Sequence, residues 1–262
     1  MSREERKAKA REFKDQFPVQ TALGVLELRF RASETKAPRA FTIITTAMHG
    51  AHQEAGSSQV IELHGSIRRF KCIAKGHYLS AMELEKQEAK ENEDEALSGV
   101  KKTKYPTCKH KQAANGEEGT MCNSTLRPDC VLLGETIDQE AMARAELAAS
   151  RLRPNDICLV VGAPDDSYPA AYLPELAARS GAPVILIAQD GAASVKAMRE
   201  ACRSDPKTFD APQDTQDPIL HLAGDPVDLL EALVDAVVSR EALQQANQQQ
   251  TEESQQAQEV LA

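Results

Sequence analysis

Short apolar runs, separated by turns and by charged or alanine-rich segments, are the dominant pattern along this chain. Two runs are rich in β-branched residues, at 41–45 and at 60–63. Three further runs, at 156–162, 183–187 and 219–222, alternate with segments of helical composition. Continuous apolar strands between helices are typical of a parallel sheet that is covered on both faces. The pattern therefore predicts an α/β fold.

The segments between the apolar runs predict the helices. A charged helix at 2–17 is expected to stop at Pro18, because proline cannot continue the helical hydrogen bonds. The stretch 19–40 stays open between a short strand and a helical turn, and 203–217 predicts a loop. The remaining predicted elements are a helical turn at 51–55, a strand that runs into a turn over 129–135, and helices at 138–151, 170–179, 193–202 and 226–243.

His64 lies at the carboxyl end of the second β-branched run and is followed by Gly65. Glycine permits a turn there because it has no Cβ to clash. Sites in α/β proteins lie at such strand ends, and an imidazole that titrates near neutral pH suits a general base. A structural histidine at a strand end is the alternative. The sequence therefore makes His64 a candidate catalytic residue.

Composition and charge narrow the class of protein. The formal net charge of −9 argues against non-specific binding of nucleic acid, which relies on Lys and Arg to neutralise phosphates. No apolar run approaches a membrane span, and the N-terminal residues lack the apolar stretch of a signal peptide. The six cysteines of the chain favour a reducing intracellular compartment, nucleus or cytoplasm, with thiols as ligands or core residues.

Four short motifs occur between about residue 41 and residue 240. They are Ala55-Gly56 with Val60-Ile-Glu-Leu-His-Gly-Ser66, Leu126-Arg-Pro-Asp-Cys-Val-Leu-Leu-Gly-Glu135, Leu159-Val-Val-Gly162 with Tyr168-Pro-Ala170, and Gly224-Asp225. In order and approximate spacing, these motifs together resemble the sirtuins, the family of NAD-dependent protein-lysine deacylases.

The resemblance implies a truncated, Rossmann-like and mostly parallel sheet with flanking helices, plus a small irregular zinc-type module. It implies that His64 acts as general base on a ribose hydroxyl, and that the partner is an acylated-lysine protein or peptide. Neither a membrane nor direct nucleic-acid binding is expected. The residues matching the substrate channel are Val131, Leu133, Gly134 and Glu135, and those matching the cofactor site are Thr45, His49, Gly162 and Ala163.

The chain departs from the family pattern in the motifs that bind NAD. The glycine-rich GAG-x-S motif has no counterpart in residues 1–40, which contain one glycine. The TQN-x-D block appears as Thr45-Thr-Ala-Met-His49, and alanine cannot make the hydrogen bonds of an amide. The GTS motif appears as Gly162-Ala163-Pro164. We therefore expect a weak or inactive deacylase; the alternatives are a non-catalytic module that binds acyl-lysine peptides, or a fragment of a longer sirtuin.

The cysteine module also departs from the family, whose zinc site uses two CxxC pairs. Lys75 stands where the partner of Cys72 belongs, and Cys108 and Cys122 are 14 positions apart. Structural zinc needs four ligands, usually thiolate or imidazole. Cys72, Cys108 and Cys122 provide three, and the fourth is left open between His77 and His110. A metal-free remnant is the alternative.

The predicted domain organisation has three parts. Residues 1–40 form a divergent N-terminal segment, and 41–240 form the sirtuin-like domain. The zinc-type module, at about 66–128, is inserted into that domain. Residues 241–262 form a Gln-rich tail with little to bury, which predicts disorder.

Overall fold

A computed structural model describes residues 12–32, 40–98, 105–112, 120–162, 171–203 and 219–239. The chain divides into two compact units. The first contains 1–43, 51–60 and 143–262, and the second contains 44–50 and 61–142. No described helix is long and apolar enough to cross a membrane.

The described helices are α1 (Pro18–Ala32), α2 (Ala51–Glu54), α3 (Ala81–Ser98), α4 (Gln139–Ser150), α5 (Tyr172–Arg179), α6 (Ala192–Arg203) and α7 (226–239). The strands are β1 (Ile43–Thr45), β2 (Val60–Glu62), β3 (Gly65–Cys72), β4 (Tyr78–Ser80), β5 (Lys111–Gln112), β6 (Thr120–Met121), β7 (Leu126–Cys130), β8 (Cys158–Val161), β9 (Val184–Ala188) and β10 (Ile219–Ala223). The described helices and strands alternate from α4 to the end of the described chain, whereas β2 to β4 and β5 to β7 follow one another directly.

A parallel three-stranded sheet forms the centre of the first unit. Its order is β10–β9–β8, with Val184 of β9 opposite both Cys158 and Ile219. The middle strand is the most apolar, and Val184 and Leu186 are fully buried. This burial is what a strand between two neighbours and helical layers requires. The α/β fold predicted from the apolar runs is therefore confirmed.

Helix α1 corrects the expectation at the N-terminal end. A helical segment at 12–16 is followed by a new helix that begins at Pro18, so the proline starts a helix as well as interrupting one. Proline suits the first helical position because its fixed φ is helical and its missing N–H is not needed there. The stretch left open as strand or helical turn is helical to Ala32.

Helix α1 contributes one face to the core of the first unit. Its side chains Ala22, Leu23 and Leu26 are buried together with Ile43 and Ile187. Their spacing of one and four positions places them on the same side of a helix. This amphipathic face is why the segment folds as a helix against the core.

A buried carboxylate joins α1 to the loop before β2. Glu27, 2% exposed, accepts hydrogen bonds from the Ser58 backbone nitrogen at 3.1 and 3.2 Å and from its hydroxyl at 2.5 Å. Nearby, a Cβ added to Gly24 would lie 2.6 Å from the carbonyl oxygen of Ala55. The absence of a side chain on Gly24 therefore allows the helix to approach this loop closely.

The second unit is more regular than the sequence indicated. Strands β4, β3 and β7 form an antiparallel sheet in that order, and β5 pairs with β6. Helix α3 begins with a capping box, in which Glu83 accepts from Ser80 and its own nitrogen donates to the Ser80 hydroxyl. The core of the second unit contains Cys72, Leu84, Cys108 and Leu126.

The strand predicted to begin at Asp129 begins earlier, and the turn predicted to follow it is present. The observed strand, β7, runs from Leu126 to Cys130, and the chain turns over residues 132–135. The apolar run Val131-Leu-Leu133 suggested that the strand continues, but Leu132 and Leu133 are exposed outside it. The pairing of β7 with β3 is a long-range contact that the local pattern did not contain.

Candidate functional site

Backbone hydrogen bonds connect three of the predicted site segments of the second unit. His64 lies in the turn between β2 and β3, and its carbonyl oxygen accepts from the nitrogen of Val131 at 2.9 Å. The carbonyl oxygen of Thr45 accepts from the nitrogen of Leu63 at 2.9 Å. The fold therefore brings the Thr45 block, His64 and the segment after β7 together through main-chain contacts.

Gly65 allows the close approach of β3 to β7 beside His64. It has φ +73°, a conformation that strongly favours glycine. A Cβ at this position would lie 2.1 Å from the carbonyl oxygen of Asp129. The His-Gly pair of the sequence is thus explained sterically: the histidine occupies the turn, and the glycine lets the two strands meet.

The segment that matches the nicotinamide block is irregular and is held by one hydrogen bond to a side chain and one to strand β3. The Thr45 hydroxyl accepts from the nitrogen of Ala47 at 3.1 Å, and the carbonyl oxygen of Met48 accepts from the nitrogen of Ile67 at 3.0 Å. Ala47 and His49 are both half-buried. The side chain at position 47 is a methyl group, which offers neither a donor nor an acceptor.

The segment 131–135 forms a compact exposed turn. The nitrogen of Glu135 donates to the carbonyl oxygen of Leu132 at 2.9 Å, and Gly134 has φ +87°. The Leu133 side chain is fully exposed. Val131 is half-buried and is held by its bond to His64. All four predicted channel residues therefore lie on one short turn that is tied to the histidine.

Arg127 and Glu135 form a bidentate ion pair at the base of this turn. Nη1 of the arginine lies 2.5 Å from Oε1 of the glutamate, and Nη2 lies 2.6 Å from Oε2. The hydrogen bonds from Arg127 and from the Leu132 backbone lower the pKa of the Glu135 carboxyl to about 2. Arg127 was not among the predicted site residues, although it belongs to the motif that ends at Glu135. Its role depends on the turn that brings residues eight positions apart into contact.

A Cys/His cluster occupies the core of the second unit. Its members are Cys72, His77, Cys108 and Cys122, whose candidate ligand atoms all lie within 4.8 Å of one another. Cys72 ends β3, and Gly76, with φ +66°, turns the chain back so that His77 meets the thiols. Nδ1 of His77 lies 3.4 Å from the Cys108 sulfur.

The local backbone also presents Cys108 and Cys122 to the cluster. The nitrogen of Cys108 donates to Ser124 at 2.8 Å, and the nitrogen of Asn123 donates back to Cys108 at 2.9 Å. Asn123 has φ +46°, in the left-handed region that asparagine tolerates. This reversal next to Cys122 compensates for the absence of a CxxC spacing. The fold thus assembles four donors that are scattered in the sequence.

The donor set fits a zinc ion. In tetrahedral zinc sites the Zn–S distance is about 2.3 Å, which places two thiolate sulfurs about 3.8 Å apart. The sulfurs of Cys72 and Cys122 are 3.6 Å apart. The four atoms need only small adjustments around an ion, and three sulfurs with one imidazole nitrogen form a chemically ordinary zinc set.

Of the pKa shifts in the cluster, those of Cys72 and His77 favour the metal-binding forms, and that of Cys108 opposes its thiolate form. Although burial opposes it, hydrogen bonds from the Lys75 and Ala74 backbone and from Cys122 lower the pKa of the Cys72 thiol to about 7. Burial raises the pKa of the Cys108 thiol. Burial, followed by the charges of His110 and Lys75, lowers the pKa of His77 and favours its neutral, metal-binding form.

His110 lies beside the cluster and not within it. Its ring packs against that of His77, with ring centroids 4.0 Å apart and the planes tilted by 37°. Of the two histidines left open by the sequence, His77 is the one that the described structure places among the thiols.

The remaining predicted cofactor residues lie in the first unit. Gly162 follows β8 with φ +91°, and its nitrogen donates to the carbonyl oxygen of Ile187 at 2.9 Å. Ala163 and the Tyr168-Pro-Ala170 motif lie outside the described residues. The bond of Gly162 extends the β8–β9 ladder by one residue before the chain leaves the sheet.

Sequence comparison identifies one matching family. The model described as "Sir2 family" matches residues 6–169. An NAD-dependent protein deacylase of Thermococcus sibiricus is 34% identical over 145 residues, which are 55% of this chain and 48% of the relative. The mitochondrial NAD-dependent protein deacylase sirtuin-5B of Xenopus laevis is 32% identical over 168 residues, 64% of this chain and 50% of the relative. The chain spans about half the length of these curated relatives.

Solved structures give a concordant fold. A Sir2 protein bound to a myristoylated histone peptide matches with a TM-score of 0.52 and 25% identity, covering 86% of this chain and 73% of that chain. A Sir2 homologue in complex with NAD matches with a TM-score of 0.53 and 24% identity, covering 86% of this chain and 65% of that chain. The second likeness, at this identity, concerns the fold alone.

Proposed function

The chain belongs to the Sir2 family, and on this basis we propose that it recognises acylated lysine in a protein or peptide and is weak or inactive as an NAD-dependent deacylase. The observation that carries the proposal is the contrast between two segments of the second unit. The turn at 131–135 is well built and tied to His64. The segment 45–49 has Thr46, Ala47 and His49 where the family block has two amides and a carboxylate.

The described residues at the nicotinamide block do not fit NAD as the family holds it. The half-buried side chain of Ala47 cannot hydrogen-bond, and the imidazole of His49 does not supply the negative charge of a carboxylate. The Thr45 hydroxyl already accepts from the Ala47 backbone. Since positioning of the reactants contributes much of an enzyme's rate, loss of these groups predicts slow turnover even with His64 in place.

Recognition of acyl-lysine requires less of the chain than catalysis does. Val131 and Leu133 offer apolar side chains at a turn whose backbone is tied to the His64 carbonyl. An acylated lysine is long and largely apolar, so such a turn is a suitable contact for it. The relative bound to a myristoylated histone peptide supports this class of ligand.

The Cys/His cluster supports a further part of the proposal, a structural zinc ion. Cys72, His77, Cys108 and Cys122 would hold the ion, which would cross-link β3 to the loops around Cys108 and Cys122. A closed set of four protein ligands leaves no position for substrate or water. The zinc would therefore stabilise the second unit and take no part in chemistry.

Two measurements on the full chain test the proposal. Fluorescence anisotropy with an acyl-lysine peptide, in the absence of NAD, is expected to show binding that the unmodified lysine peptide lacks. A fluorogenic acyl-lysine assay with NAD is expected to show little or no turnover. Failure to bind the acylated peptide, or rapid turnover abolished by His64→Ala, would overturn the proposal.

A restoration variant sharpens the interpretation of weak turnover. Ala47→Asn with His49→Asp returns the second of the two amides, and the carboxylate, of the family block. If these two positions limit the reaction, the double variant turns over faster than the unmodified chain at equal peptide affinity. Met48→Ile, between them, is a matched control that changes neither donor nor acceptor groups. An equal gain in this control would mean that packing, and not hydrogen bonding, limits the rate.

A further inference from the structure

Building on the proposed function, we propose that Arg127 and Glu135 are positioning residues that hold the turn Leu132-Leu133-Gly134 in the shape to which an acyl-lysine peptide binds. Glu135 then contacts Arg127 and the turn, and not the substrate. Arg127 binds Glu135 from strand β7, which precedes the turn. The sequence placed Glu135 among the channel residues and did not include Arg127.

The contacts of Glu135 account for both of its oxygens. Oε1 accepts from Nη1 of Arg127 at 2.5 Å. Oε2 accepts from Nη2 of Arg127 at 2.6 Å and from the backbone nitrogen of Leu132 at 3.0 Å. The carboxylate therefore binds residues of its own turn and of β7. Together with the backbone bond from the Glu135 nitrogen to Leu132, it connects the two ends of the turn twice.

The arginine is anchored in a sheet and is therefore a fixed point. Arg127 lies on β7, opposite Lys71 of β3, and its Nη2 also donates to the carbonyl oxygen of Cys130 at 3.0 Å. The planar guanidinium binds the carboxylate with two parallel bonds, which fixes direction as well as distance. Lysine at this position would keep the charge but lose that geometry.

The turn itself needs this support because its tip projects into solvent. Leu133 is fully exposed, and a Cβ added to Gly134 would meet no atom within 4 Å. At its start the turn is tied by the Val131–His64 bond, and at its end by Glu135. An exposed loop that is ordered before binding loses less entropy when a ligand docks. The ion pair thus favours peptide affinity through preorganisation.

The test compares Glu135→Ala with Glu175→Ala in the full chain. Glu175 forms an exposed ion pair with Arg179 on α5, so its variant removes a similar contact far along the chain. Hydrogen exchange by mass spectrometry over 131–136 reports the turn, and anisotropy with the acyl-lysine peptide reports affinity. We expect faster exchange in Glu135→Ala and a peptide affinity roughly three- to tenfold lower, with an unchanged Tm. Glu175→Ala is expected to match the unmodified chain in both.

Two more variants separate positioning from bulk stability. Glu135→Gln keeps an acceptor for Leu132 but loses the charge, so its affinity is expected to lie between those of the alanine variant and the unmodified chain. Arg127→Lys is expected to lower affinity as Glu135→Gln does, because it keeps charge without the fork. An affinity loss that follows Tm across the variants would assign the pair a merely structural role and overturn the inference.

The outcomes distinguish this inference from the proposed function. Unchanged exchange over 131–136 in Glu135→Ala would overturn the inference whatever the peptide does. Faster exchange with unchanged peptide affinity would also overturn it, while leaving acyl-lysine binding intact. If the unmodified chain fails to bind the peptide, the proposed function fails, and the exchange data still show whether the ion pair orders the turn.

Discussion

The sulfur atoms of Cys72 and Cys122 lie 3.6 Å apart, although the residues are 50 positions apart in the sequence. Cys72 ends a strand, and Cys122 precedes a left-handed asparagine that turns the chain. The two thiols belong to a set of four donors in which no two members form a CxxC pair. The four donors thus lack the sequence spacing by which a zinc module is identified, but the fold brings them together in space.

Replacement of Cys72 by serine is expected to abolish zinc binding. A hydroxyl is a poor ligand in place of a thiolate, and the remaining donors cannot complete a tetrahedron. Inductively coupled plasma mass spectrometry of the purified chain is expected to find about one zinc ion per chain, and little in Cys72→Ser. Cys130→Ser is the control, because Cys130 lies outside the cluster. Full zinc content in Cys72→Ser would refute the assignment.

The two neighbouring histidines are expected to behave differently. His77→Ala removes a donor atom that lies 3.4 Å from the Cys108 sulfur, so zinc content and thermal stability are expected to fall together. His110→Ala removes only the ring packed against His77 and is expected to retain the metal. Zinc loss in His110→Ala but not in His77→Ala would reverse the ligand assignment.

Replacement of Gly65 by alanine is expected to destabilise the second unit by about 2–4 kcal/mol, since it combines a strained φ with a backbone clash. The clash is with the Asp129 carbonyl oxygen, 2.1 Å from the new Cβ. Gly56→Ala is a matched control, because Gly56 also has a positive φ but nothing within 4 Å of a Cβ. Urea denaturation measures both; equal losses would show that the strand approach costs nothing extra.

Glu27→Ala is expected to lower the free energy of unfolding by about 1–3 kcal/mol, because it removes a charged acceptor from two hydrogen bonds. The partners are the backbone nitrogen and the hydroxyl of Ser58. Glu231→Ala, which removes an exposed ion pair with Lys14, is expected to leave the Tm unchanged. A Tm for Glu27→Ala equal to that of the unmodified chain would contradict the proposed anchor.

The turn at 131–135 is expected to resist acid. The hydrogen bond from Arg127 is the main reason that the pKa of the Glu135 carboxyl is lowered from 4.5 to about 2. The ion pair therefore contributes its full free energy of stabilisation at pH values above the pKa of the unfolded state. Its contribution is lost as the pH falls from about 4.5 through about 2. A ¹³C NMR titration of the Glu135 carboxyl measures this directly. A midpoint near 4.5 would show that Arg127 does not hold the carboxylate in solution.

Local chemistry in the sequence was sufficient for part of the fold. Apolar runs between helical segments predicted the parallel strands β8, β9 and β10, and the reason is clearest for the middle strand β9, which is buried on both faces and is apolar throughout. The same reasoning misplaced β7. The run Val131-Leu-Leu133 has the composition of a strand, yet Leu132 and Leu133 are exposed on a turn. Local hydrophobicity does not encode which partner a strand pairs with.

The candidate site shows the same division. The sequence alone determined that His64 and Gly65 end an apolar run, that three thiols and two histidines share one module, and that two amides and a carboxylate of the family block are missing after Thr45. Tertiary structure decided that His77 joins the thiols, that His64 is bonded to Val131, and that Arg127 closes on Glu135. These relationships depend on turns and long-range strand pairing, whose geometry is set by the folded chain as a whole and not by neighbouring residues.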